Sequence, residues 1–156
     1  MKHAHAGKNH YVPLLIMMAL SFVSMYILMY AMVDRVGNVY GNLNQLYMAG
    51  LMTAPMILIE LTVMGGMYEN KGLNSAIMVG SLAVAVLFFV GIRQQTAIGD
   101  TQFLKSMIPH HASALLMCNE ASVADTEILE LCKTIVAGQQ AEIDQMKTIL
   151  TRLGEK

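Results

Sequence analysis

The chain has 156 residues, of which 55% are apolar and 13% charged, with a formal net charge of -1. Soluble domains carry about 25% charged residues, so this composition argues against a soluble protein. The near-neutral balance leaves no basic footprint for nucleic acid. Tryptophan is absent and methionine is abundant, at fifteen. Methionine fills irregular cores, and its thioether is also a soft ligand suited to Cu(I).

Residues 1–11, MKHAHAGKNHY, read as a polar tail with Lys2, Lys8 and three histidines. His3 has the spacing from the amine that chelates Cu(II) when the amine is free; an untethered basic flank accounts for the same residues. Residues 12–33 hold no charged side chain, and about 20 apolar residues span a bilayer. This stretch is longer than the core of a signal peptide and no small-x-small cleavage site follows, so it is expected to stay in the mature chain. Residues 34–44, with two glycines and three asparagines, read as a loop.

Residues 46–67 form the second span and contain Pro55 and Glu60. Met48, Met52, Met56, Glu60, Met64 and Met67 recur every three or four residues, a thioether stripe with a carboxylate in it. An ionisable group inside a span is a functional candidate, and Met52, Met56, Glu60 and Met64 outline a candidate membrane path. A hydrogen-bonded Glu60 that joins helices is the plainer alternative. After the polar turn 68–73, residues 74–92 form the third span, with Gly80, Ser81, Ala83 and Ala85 for close packing. Residues 12–93 are thus expected to be a three-helix transmembrane domain. Lys2, Lys8 and Lys71 against Arg35 and Arg93 favour an amino terminus inside and the carboxy-terminal segment outside.

Gly99-Asp100 breaks the pattern, and Asp100 is expected to cap the next helix. Residues 100–153 read as an antiparallel helical hairpin, because a short turn near 122–125 forces neighbouring helices together. Asp125 is the expected N-cap of the second helix. That helix has a heptad-like seam of Ile128, Cys132, Ile135, Gln139, Glu142, Met146, Ile149 and Leu153. The first has a matching row, Phe103, Met107, His110, Ala114 and Met117, beside a second row, Leu104, Ile108, His111, Leu115 and Cys118.

Folding the hairpin on the first row pairs residues whose numbers sum to roughly 249, as an antiparallel turn requires. Met107 then faces Glu142, His110 faces Gln139 and Met117 faces Cys132. Polar groups from both helices meet at one level, flanked by sulfur, and buried polar groups need partners. Imidazole with thioether points to copper. No Glu-x-x-His occurs, so a di-iron carboxylate centre is excluded. Glu142 fits an outer-shell role on a ligating imidazole. Pro109 frees the Lys105 carbonyl and is expected to bend the helix so that both imidazoles turn inward. Cys118 and Cys132 should lie at one level, as a disulfide, as thiolate ligands or as buried free thiols.

The runs FLKSMIPHHASALLM and LCKTIVAGQQAEIDQMKTIL resemble domain-of-unknown-function family 305. That is a ferritin-like helical family including CopM-like bacterial copper-binding proteins. The resemblance covers about residues 100–153 and rests on Met107 to His111 and Gln139 to Met146. It implies a periplasmic domain linked to copper binding or resistance, with Met107, His110, His111, Met117 and Met146 as ligands. Cys118 and Cys132 depart from the pattern, where small apolar residues would be expected.

The resulting expectation is an all-α protein: three transmembrane helices, then a ferritin-like half-bundle completed to four helices in a homodimer or higher oligomer. It would sit in a bacterial inner membrane with its carboxy-terminal domain in the periplasm, bind copper as Cu(I), and act in copper tolerance, storage or handover. Gln139, Glu142, Cys118 and Cys132 would support the site. A metal-free structural or assembly subunit and a metal-dependent redox enzyme are the rival readings.

Overall fold

The computed structural model describes residues 10–154. The amino-terminal histidine motif, including His3, lies outside the described residues. The chain is all-α: α1 (Tyr11–Leu28), α2 (Leu43–Val63), α3 (Lys71–Gln94), α4 (Asp100–Glu120) and α5 (Thr126–Arg152), with 3-10 turns at Met29–Met32 and Val36–Asn38 after α1. It divides into two units. One holds α1 up to Tyr26 with residues Tyr47–Gln94; the other holds Ile27–Leu46 with the chain from Gln95 onward.

In the first unit α1, α2 and α3 are each long and apolar enough to cross a membrane. Leu15, Leu20, Val23, Val79 and Leu87 lie more than half exposed, which water would penalise and a bilayer core favours. α2 buries the largest share of its surface and is the central helix. Its inner face is small: Ala49, Gly50, Thr53 and Ala54, followed by Ile57 and Leu61. The Phe88 ring occupies the space where a Gly50 Cβ would stand, so the missing side chain sets the approach of α3 to α2. Of the small residues expected to pack α3, Ser81 is buried; Gly91 does the same work beside the Tyr47 ring. The turn after α2 is tied inward by polar bonds. Asn74 Nδ2 donates to the Tyr68 carbonyl at 3.0 Å, and Tyr11 Oη donates to Asn74 Oδ1 at 2.7 Å.

In the second unit α4 and α5 pack as the expected antiparallel hairpin. Asp125 caps α5, its carboxylate accepting from the amides of Glu127 and Ile128 at 2.9 and 3.1 Å. Asp100 does not cap α4: Gly99 takes that position and Asp100 opens the helix, where its charge still complements the positive end of the dipole. The core of the hairpin is Leu104, Ile108, Ala112 and Leu115 against Ile143, Met146 and Leu150. Val33 and Tyr40, from the loop between α1 and α2, pack onto this core. The hairpin's seam is therefore partly covered by its own chain.

Asparagines hold that loop down. Asn42, 4% exposed, caps α2 by accepting from Gln45 N at 2.9 Å, while its amide donates to the carbonyls of Tyr40 and Lys105. Asn38, fully buried, donates to Asp34 Oδ1 at 2.6 Å and accepts from Lys147 Nζ on α5. Arg35 reaches Gln140 Oε1 at 3.0 Å.

Two helices, α2 and α3, separate this loop from α4 in the chain, yet the loop and the hairpin share one unit. Two crossings return a chain to the side it left. The packing therefore agrees with three membrane-spanning helices.

Candidate metal centre

A helix advances 3.6 residues per turn, so consecutive side chains point about 100° apart. His110 and His111 accordingly diverge: His110 is exposed and His111 is mostly buried, their ring centroids 5.9 Å apart. The helix runs through Pro109 without turning both imidazoles inward. The packed row of α4 is Leu104, Ile108, His111, Leu115 and Cys118, not the row containing Phe103, His110 and Met117. Phe103 and Met117 are about half exposed. Four–three spacing suits either row, and the row richer in branched apolar side chains wins the interface.

The register moves with it. His111, not Met107, meets Glu142, with Nδ1 3.0 Å from Oε2. The contact has ion-pair distance but lacks the alignment of an N–H···O hydrogen bond. His111 is 12% exposed and Glu142 56%, so the carboxylate stands at the solvent edge of the seam and the imidazole lies inside it. Burial pushes the His111 pKa down; the Glu142 charge pulls it up and His110 opposes protonation. The neutral, ligand-competent imidazole is thereby favoured.

Met107 packs against the hairpin core and Met146 belongs to it, 8% exposed. Gln139 is half-buried. Two thioethers and one imidazole thus border a common core, while His110 and Met117 stand on the outer flank of α4. Among the described residues no group of three or more His, Cys, Asp or Glu side chains gathers into a metal-binding cluster.

Cys118 and Cys132 form a disulfide, with Cα atoms 5.3 Å apart, joining the last turn of α4 to the second turn of α5. Of the three states open to them in sequence, this structure has the cross-linked one.

The membrane stripe is placed otherwise. Met52 lies on the exposed flank of α2 and Met64 is exposed just past its end, with Met56 and Glu60 half-buried. Glu60 accepts a hydrogen bond from Tyr68 Oη at 3.1 Å, close to the end of α2. A cavity of about 740 Å³ in this unit is lined by Leu14, Phe22, Ile57 and Phe88 among other apolar groups, and the stripe is not part of its lining.

Sequence reasoning missed Asn38 and Asn42. Their signal was the asparagine-rich loop itself, whose side chains can cap and bridge backbone groups.

Fold and site together define a helical membrane protein with a disulfide-clamped hairpin and a mostly buried histidine in its seam. Residues 91–155 match the family described as Domain of unknown function (DUF305), and the chain belongs to that family. It is also similar to Uncharacterized protein L153 of Acanthamoeba polyphaga mimivirus, with 31% identity over 140 residues, 88% of this chain and 90% of that one. That likeness extends beyond the hairpin into the membrane helices. No solved structure matches the chain.

Proposed function

We propose that this is a membrane-anchored copper-binding protein that holds Cu(I) on the α4–α5 hairpin and acts in copper tolerance, storage or handover. The observation that carries the reading is the His111–Glu142 contact. A carboxylate 3.0 Å from one ring nitrogen leaves the other nitrogen for a metal, and a carboxylate beside the imidazole accompanies most ligating histidines. Met107 and Met146 supply soft donors from the same core. His110 and Met117, exposed on the outer flank, are the positions from which metal would be taken up or passed on. Bound copper would supply a soft cation that bridges α4 and α5.

The hairpin is assigned to the extracytoplasmic side of a bacterial inner membrane, in the periplasm. Its disulfide fits an oxidising compartment, and the charge bias of the loops points the same way. Exposed Phe103, Met117, Leu131 and Leu153 offer apolar surface for a homodimer or higher oligomer. Membrane lipid is the other partner.

Anaerobic Cu(I) titration of the detergent-solubilised chain tests the reading. One tightly held equivalent is expected, lost in His111→Ala and retained, more weakly held, in His110→Ala. Equal copper content in the parent chain and His111→Ala would overturn the site. The lack of a three-residue His, Cys, Asp or Glu cluster among the described residues favours a second reading, a metal-free structural or assembly subunit. Failure to bind Cu(I) at all would select it.

A further inference from the structure

The disulfide does not lie in the hairpin core. That core runs from Leu104 to Leu115 and from Ile143 to Leu150, whereas the cross-link sits toward the α4–α5 turn. It also borders open space. A cavity of about 360 Å³ is lined by Cys118, Asn119, Leu129, Cys132, Lys133 and Ala137 among others. Both sulfurs' residues thus face a recess that an external thiol can enter. Lys133 stands on its rim, its ammonium 3.0 Å from the exposed Glu130 carboxylate.

Both cysteines are carried by helices, and the helices are held together by apolar packing elsewhere. Opening the bond therefore leaves two thiols facing each other across a fixed gap, with Cα atoms 5.3 Å apart. Thiolate selects soft ions: Cu(I), zinc or iron–sulfur clusters. Structural zinc wants four ligands, and the clusters want four cysteines. Among the described residues no third His, Cys, Asp or Glu joins this pair. A two-thiolate site suits a d¹⁰ ion that accepts two-coordinate linear geometry, which is Cu(I).

We propose that Cys118 and Cys132 are a redox-gated second metal site: closed as a disulfide, and binding one Cu(I) between two thiolates when reduced. The reductant is a dithiol. One of its thiolates attacks a cysteine sulfur and breaks the S–S bond, giving a mixed disulfide and one protein thiolate. Its second thiol displaces the other cysteine and leaves as a disulfide. Two electrons and two protons have then passed to the protein. Cu(I) binding releases the two thiol protons, and the metal's oxidation state does not change. The site is independent of His111, so the two assignments can fail separately.

The test is Cu(I) titration of the full chain in detergent, anaerobically, from a bicinchoninate complex. Oxidised protein is compared with protein reduced by a phosphine that is then removed. Reduction is expected to add one equivalent and to bring thiolate-to-Cu(I) charge-transfer absorption in the ultraviolet. In Cys118→Ser/Cys132→Ser the added equivalent and the absorption are both lost, while any equivalent due to His111 stays. In His111→Ala the added equivalent stays. No gain on reduction would overturn the proposal, as would a gain that persists in the double serine variant.

Discussion

The side-chain amide of Asn42 donates to the carbonyl of Lys105, 63 residues further on, at 3.3 Å. Lys105 lies four residues before Pro109, which has no N–H to return to that carbonyl. The proline thus opens a place in α4 for the loop between α1 and α2. Asn42→Ala removes this donor and the N-cap of α2 together. It is expected to cost about 1–3 kcal/mol, measured as lowered thermal stability in detergent. Asn42→Asp keeps the cap acceptor but turns a carboxylate oxygen toward two carbonyls. It should be at least as destabilising, although aspartate is among the best N-caps.

Glu142→Gln keeps the size of the side chain that faces His111 and removes its charge. Outer-shell carboxylates of this kind typically contribute about 10–100-fold to metal affinity. A loss of Cu(I) affinity in that range is expected, with stoichiometry unchanged, read by competition with a coloured chelator. Unchanged affinity would reduce the contact to packing.

The metal-free protein should lose stability as the solution is acidified through the histidine range. His111 has its pKa lowered by burial from an ordinary value near 6.5. The unfolded chain therefore takes up the proton first as pH falls. The stabilisation is present above that ordinary value and is lost as pH drops toward the folded one. Glu142→Gln removes an upward pull, so the titration of His111 should move further down. Proton NMR of the imidazole C–H groups follows both effects, with His110→Ala used to assign the signals.

Gly50→Ala would set a methyl group on the Phe88 ring. Overpacking of this kind costs about 1–3 kcal/mol. The loss should be largely relieved by adding Phe88→Ala, since two residues in contact couple. Thermal unfolding of the single and double variants gives the coupling directly.

The helices were legible because their signals are long and redundant. Charge-free runs mark the spans, and Asp125 marks the start of α5. The hairpin's register was less so. Two adjacent rows of α4 carry the same spacing, and choosing between them required knowing that Ile143 and Leu150, rather than Glu142 and Leu153, line the opposing face. The pairing of Cys118 with Cys132 could be placed at one level but not as a bond, because spacing alone does not fix a disulfide. The roles of Val33, Tyr40 and Asn42 were illegible for a different reason: their partners lie two helices away in the chain, beyond the reach of any local pattern.

That last feature sets an order of events during synthesis. The unit around the hairpin is stitched from two segments, Ile27–Leu46 and the chain from Gln95 onward, with α2 and α3 between them. Asn42 emerges early and waits for Lys105; Val33 and Tyr40 wait for α4. The cover of the hairpin closes only after two further helices have been made and threaded through the bilayer. Cutting the chain after Gln94 would yield a fragment that contains the whole disulfide loop and lacks its own lid.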